Sequence, residues 1–264
     1  MAIQEIEVES IPALIDKILE IQNELPPEHN LWFRGVGNHN HKLLPKIMRH
    51  TKTTEHVFER EKRLVTRFRQ RSMAYWPEGY PQNDWEHFFA MQHYGLSTRL
   101  LDWSENAFVA SFFAISYVPS EESNEPIYPI VWCMDPIKWN RSMPGLSEFG
   151  DSIRVLTTVD DEIEGYRPET TKRRSRSPVA MYGAHNSNRI VAQRGTFTVW
   201  GSDTQDMESF ADAQQSTLLW KIKLIGDRAK LYKDLHTLGF SETMIFPDLP
   251  SLALELDRVE GWRE

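Results

Sequence analysis

Three short stretches of this 264-residue chain carry side chains that could do chemistry. Arg34-Gly35 closes the aromatic run Leu31-Trp32-Phe33 and falls at the end of a short strand. An arginine there offers a planar five-donor fork to a phosphate or carboxylate. The adjacent glycine lets a ligand approach the backbone. The alternative is a strut, with Arg34 paired to a core aspartate. Ser97-Thr98-Arg99 follows the turn glycine Gly95. Its two hydroxyls suit a ribose or a phosphate, or they bond nearby backbone. Arg99 either joins them on a ligand or pairs with Asp102, three residues on, and fixes the loop. Gln193, two residues before Gly195, sets an amide on a strand beside a bulge. That amide fits a ribose hydroxyl, a nicotinamide-like group or a core hydrogen-bond network. His93 with Tyr94 suits general-base work or stacking on a base, or else a structural helix end.

Other chemistries lack their residues. There is no Walker loop, GxGxxG, GxSxG or HExxH. The nine histidines show no metal spacing: His39 and His41 flank Asn40 with no acidic or cysteine partner at a useful distance. The one cysteine, Cys133, lies in the apolar run from Ile130, which excludes an intrachain disulfide and predicts a buried thiol. A net charge of −8 argues against bulk binding to nucleic acid. The acidic start lacks a signal pattern, and no apolar run approaches the roughly 20 residues that span a bilayer. The expectation is a cytoplasmic protein with no membrane partner.

The elements that must position these residues follow from periodicity and caps. Ser10 and Pro12 open a helix with Ile11, Leu14, Ile15, Ile18, Leu19 and Ile21 on one face. Thr54 to Ser72 is a long helix. Arg60, Lys62, Arg63, Arg67, Arg69 and Arg71 make it either a solvated face with local pairs such as Glu59–Arg63 or a surface for an anionic partner such as nucleic acid. Asp84 to His93 is a short helix ended by Gly95. Ser104 caps an almost wholly apolar helix from about Glu105 to Tyr117. Ile127 to Met134 reads as a central strand and residues 135–188 as an irregular insertion with a basic run at Lys172 to Arg176. Arg189 to Trp200 reads as a strand broken at Gly195, and Thr217 to Ile225 as another. Asp227 to Leu238 and a last helix over 248–262, capped by Asp248, complete the chain. Strands and helices without strict alternation predict an α+β fold with mixed or antiparallel central sheets flanked by helices.

Several motifs in order resemble the FRG domain. They are Trp32-Phe33-Arg34-Gly35, Leu44-Pro45, the run from Gln92 to Trp103, Ala110-x-x-Phe113-Ala114, Gln193-Arg194-Gly195-x-Phe197-Thr198 and Ile245-Phe246-Pro247-Asp248-Leu249. The resemblance implies one FRG-type domain over 1–264 with a core of about 25–250. A second likeness is to ADP-ribosyltransferases of the arginine–serine–glutamate type. Arg34-Gly35 looks like their first motif, Ser97-Thr98-Arg99 before Ala110-x-x-Phe113-Ala114 like their second, and Gln193 like the site of their third. That likeness implies an ADP-ribosyltransferase-like fold with NAD as substrate and no metal. Arg34 would hold phosphate, Thr98 and Ser97 the ribose, and Gln193 the nucleoside end. Arg34, Thr98 and Gln193 would be the catalytic set. The acceptor would be a protein or nucleic acid, as for a toxin or antiphage effector. Glutamine in place of the family's glutamate cannot act as a carboxylate base, which leaves a non-catalytic nucleotide- or partner-binding module as the alternative.

Overall fold

The computed structural model describes residues 3–49, 54–76, 80–116, 126–183 and 188–262. In chain order the elements are β1 (Ile3–Val8), α1 (Ile11–Asn23), β2 (Trp32–Val36), α2 (Thr54–Ser72), α3 (Asp84–His93), β3 (Leu100–Ser104), α4 (Ala107–Ser116), β4 (Ile130–Met134), α5 (Pro136–Ser142), β5 (Val179–Met181), α6 (Asn188–Gln193), β6 (Gly195–Val199), α7 (Met207–Asp212), β7 (Leu219–Leu224), α8 (Arg228–Thr237), α9 (Glu242–Ile245) and α10 (Leu249–Val259). The seven strands form one sheet in the order β1-β7-β4-β2-β3-β6-β5. All neighbours are antiparallel except β1 and β7, so the sheet is mixed, as expected.

Alternation along β4 shows how the sheet is filled. Ile130, Trp132 and Met134 enter one core, while Val131 and Cys133 enter the other. Two inside faces require a central strand with no polar residue. Burial pushes the Cys133 thiol well up from its ordinary range, as a buried, inert cysteine requires. One core packs α1, α4 and α8 on the sheet. The other packs α3, α5, α7 and Val57 of α2 on the opposite side.

Caps and stops fall where the sequence puts them for most helices. Ser10 accepts from the Ala13 amide and Asp248 from the Ser251 amide. Gly95 and Gly239 end their helices with φ of 80° and 88°, a conformation glycine reaches without strain. Leu19 departs from the expected α1 stripe and is exposed. The last helix likewise leaves Leu249, Leu256 and Val259 exposed rather than in a core. Helix α4 starts at Ala107, not Glu105, because Ser104 is still in β3 and Asn106 accepts from the Phe108 amide.

Two larger expectations are corrected. Residues 135–188 are not simply irregular: they hold α5, β5 and two 3-10 turns. Trp139, Ile153, Ile163 and Tyr166 from this stretch are buried in the core. Arg189 to Trp200 is not one strand with a bulge. Asn188–Gln193 is helical, Arg194 turns the chain at φ 45°, and β6 begins at Gly195. The sequence also gave no sign of β1, which pairs in parallel with β7 along its whole length. Its glutamates mask the alternation, and they are answered across the ladder by Glu5–Lys221 at 3.0 Å and Glu7–Lys223 at 2.9 Å.

Arg99 is fully buried. Its Nε donates to both carboxylate oxygens of Glu61 on α2, at 2.9 and 3.0 Å, and Nη2 donates to the Tyr166 carbonyl at 2.7 Å. Nη1 donates to the Trp200 carbonyl. The guanidinium lies 5.0 Å from the Phe58 ring centre and 5.6 Å from that of Phe88. Arg99 therefore ties α2, the 3-10 turn ending at Tyr166 and the end of β6 together. It neither pairs with Asp102 nor reaches a ligand. Removing one partner of a buried pair strands the other charge. Arg99→Ala is expected to lower stability by about 3–5 kcal/mol, read from the midpoint of urea unfolding; a loss under about 1 kcal/mol would contradict the role assigned to this pair.

Candidate functional site

The sheet is nearly cut in two between β2 and β3. Their register contains one residue pair, Phe33 with Ser104. Continued antiparallel pairing would set Arg34 against Trp103 and Gly35 against Asp102, but β2 stays with β4 and β3 stays with β6. At the split, Arg34 Nη1 donates to the Asp102 carbonyl at 2.5 Å. A cavity of about 450 Å³ opens here, within the usual range for a small-molecule site. β2, β3, β6, α4, the end of α3, α6 and the loop of residues 37–49 contribute to its walls.

The charged residues of that lining are unbalanced. Among the described residues the lining holds Arg34, Lys42, Arg49 and Arg189 with one carboxylate, Asp102; the Lys42 ammonium also lies 3.9 Å from Glu208 outside the lining. Desolvation lowers the Arg34 guanidinium to about 10; Asp102 opposes the shift and Arg49 adds to it. Burial likewise lowers Arg189, with Asp102 and Asp248 acting in the other direction. His41 and His93 also line the cavity. Burial lowers both below the ordinary histidine value, helped by Arg49 at His41 and by Arg189 at His93; Asp102 opposes the shift at His93. Both are thus mostly neutral at pH 7. A local cluster of basic side chains concentrates positive potential in a cleft whatever the sign of the whole chain.

Of the residues expected at a site, Arg34, Gly35, His93 and Gln193 share this cavity. Gln193 sits at the end of a helix rather than on a strand. Its Nε2 donates to the Ile245 carbonyl at 3.0 Å, and its own carbonyl accepts from Ser104 Oγ at 2.6 Å. Ser97, Thr98, Arg99 and Tyr94 do not line the cavity. The Thr98 hydroxyl is fully buried, donating to Gln92 Oε1 at 2.5 Å and accepting from the Leu100 amide at 3.1 Å. It has no surface left for a ribose. Ser97 lies beside it, before β3 begins, and Tyr94 points outward with its ring 6.1 Å from Trp76.

Gly35 has a different reason from the one its neighbour suggested. A Cβ there would stand 1.8 Å from the Ala110 carbonyl oxygen and 2.6 Å from the Ala114 nitrogen. The glycine and the small residues of Ala110-x-x-Phe113-Ala114 form one close contact of β2 with α4. Lys42, Arg49 and Arg189 were missed because a basic residue near a turn ordinarily reads as solvated. Their position beside the Leu44-Pro45 and Gln193 motifs was the available signal. Arg189 is held with its guanidinium 4.6 Å from the Phe246 ring centre, so the closing motif braces this wall. Among the described residues, no group of three or more His, Cys, Asp and Glu side chains is placed to hold a metal ion, and no helix is long and apolar enough to cross a membrane.

The obstacle at Gly35 is backbone, so no side-chain change on α4 relieves it. Gly35→Ala is expected to cost about 1–3 kcal/mol by overpacking, measured by chemical denaturation. Unchanged stability in this variant would show that the close approach is not what the glycine serves.

No curated protein and no solved structure matches the chain. Residues 29–123, which hold β2, α2, α3, β3, α4 and the split between the strands, match the model of the FRG domain family. Over that stretch the chain carries an FRG domain.

Proposed function

We propose that the cleft binds NAD or a related pyrophosphate-bearing nucleotide. The observation that carries this reading is the convergence of Arg34, Lys42, Arg49 and Arg189 on a cavity with one carboxylate, in a chain of net charge −8. Such a site favours a compact anion with more than one negative charge. Arg34 and Arg49 are the natural phosphate partners. Gln193 Oε1 remains available as an acceptor for a ribose hydroxyl, since its tie to Ile245 uses the amide nitrogen. His93 stands at the same wall. The likeness of Arg34-Gly35 and Ala110-x-x-Phe113-Ala114 to motifs of ADP-ribosyltransferases favours NAD among nucleotides, with a protein or nucleic acid as acceptor in an effector of toxin or defence type.

Gln193 favours a second reading, a module that binds the nucleotide without chemistry. Its amide cannot accept a proton as a carboxylate does, and it is tied to Ile245. Incubation with labelled NAD and a lysate separates the two readings: label transfer or nicotinamide release removes the second.

Arg34→Ala is expected to weaken NAD binding about 10- to 100-fold, the range of a charge-assisted hydrogen bond, by titration calorimetry. Affinity equal to wild type would remove Arg34 from the phosphate site. The depressed histidines set a pH dependence. Both are neutral near pH 7, and protonation below about 6.5 adds positive charge to the cleft. NAD affinity is therefore expected to be flat above about pH 7 and to rise as the solution is made more acid. A fall over the same interval would count against His41 and His93 facing the bound anion.

A further inference from the structure

We infer that Asp102 is the catalytic carboxylate of the cleft, an assignment that rests on the nucleotide reading above. The sequence offers Asp102 only as a partner of Arg99 that fixes the loop. The fold instead places it, exposed, on a strand whose other residues are buried. It is the one acidic side chain in the cavity lining.

A hydrogen-bond relay holds it there. Gln92 Nε2 donates to Asp102 Oδ2 at 2.7 Å. The Thr98 hydroxyl donates to Gln92 Oε1 at 2.5 Å and takes its own hydrogen bond from the Leu100 amide. A hydroxyl on the amide oxygen fixes which end of Gln92 faces the carboxylate. Arg34 grips the backbone carbonyl of the same aspartate at 2.5 Å, not its side chain. Among the described residues, no guanidinium or ammonium lies within salt-bridge distance of the Asp102 carboxylate. The network thus orients a carboxylate without neutralising it. A purely structural aspartate beside Arg34 and Arg189 would be expected to pair with one of them.

The sign of the cleft gives that charge a use. Cleavage of the nicotinamide–ribose bond develops positive charge at the ribose C1′, which four basic side chains oppose. One negative group of fixed position stabilises it, as carboxylates do for oxocarbenium-like transition states. With water as acceptor, the C1′–N bond breaks and its electron pair stays on nicotinamide, which leaves neutral. The water oxygen bonds to C1′, and its proton passes to the Asp102 carboxylate and then to solvent. In this arrangement Gln193 need not act as a base. Gln92 and Thr98 are positioning residues: the Thr98 hydroxyl holds Gln92 Oε1, and the Gln92 amide nitrogen holds the Asp102 carboxylate.

The test uses the full chain with NAD, following nicotinamide release chromatographically and binding by calorimetry. Asp102→Asn is expected to bind NAD at least as well as wild type while turnover falls at least about 100-fold. Gln92→Ala is expected to keep KM and lower kcat, because the donor that orients the carboxylate is gone. Turnover retained in Asp102→Asn overturns the assignment. So does wild-type protein that binds NAD and releases no nicotinamide, an outcome that leaves the binding reading intact. Wild-type protein that fails to bind NAD overturns that reading, and the assignment with it.

Discussion

The joint between β2 and β3 is the constraint on which the rest of the molecule depends. Two strands that paired fully would close the sheet and leave no cavity. They pair at Phe33 and Ser104 alone, and Arg34 spans the opening by reaching the Asp102 carbonyl. What keeps β2 from following β3 is its commitment on other sides. It runs with β4 over all five residues, and Gly35 lies so close to α4 that no side chain would fit between them. β3 is equally committed to β6 along its length. The cleft is therefore a product of packing on both sides, not of a flexible loop.

Charge follows from the same geometry. Arg34 comes from β2, Lys42 and Arg49 from the loop after it, and Arg189 from the short helix before β6. Each is unremarkable in its own neighbourhood. In that space burial lowers the basicity of Arg34, Arg189, His41 and His93, with Arg49 adding to the shift at Arg34 and His41 and Arg189 to that at His93. Assembling like charges is unfavourable by itself.

The run from Gln92 to Trp103 divides into scaffold and site. Arg99 is the most buried cation of the fold and holds α2 against the strand ends through Glu61, Tyr166 and Trp200. Trp103 is buried and its Nε1 donates to Thr198 Oγ1 on β6 at 3.1 Å. Thr98, Gln92 and Asp102 form a relay that runs from a buried hydroxyl to a carboxylate exposed at the cavity. A motif of this density serves both purposes because a carboxylate is only as well placed as the shell that orients it.

The sequence by itself determined the local structure: the caps at Ser10 and Asp248, the glycine stops, the buried helix α4 and the all-apolar strand β4. These depend on neighbours within a turn or on a period of two or 3.6 residues, so they are written in the order of the residues. It also singled out Arg34, His93 and Gln193, which do meet. It misplaced Ser97, Thr98 and Arg99, because a hydroxyl or guanidinium looks the same in sequence whether it faces a ligand or a buried partner such as Glu61. It passed over β1, whose partner β7 lies near the other end of the chain. Only the tertiary structure decided that β2 and β3 part after one pair, that Gly35 serves α4, and that four basic residues from separate segments line the cavity that holds Asp102. Each of these is a contact between distant segments, fixed by which faces must be buried together rather than by any local preference.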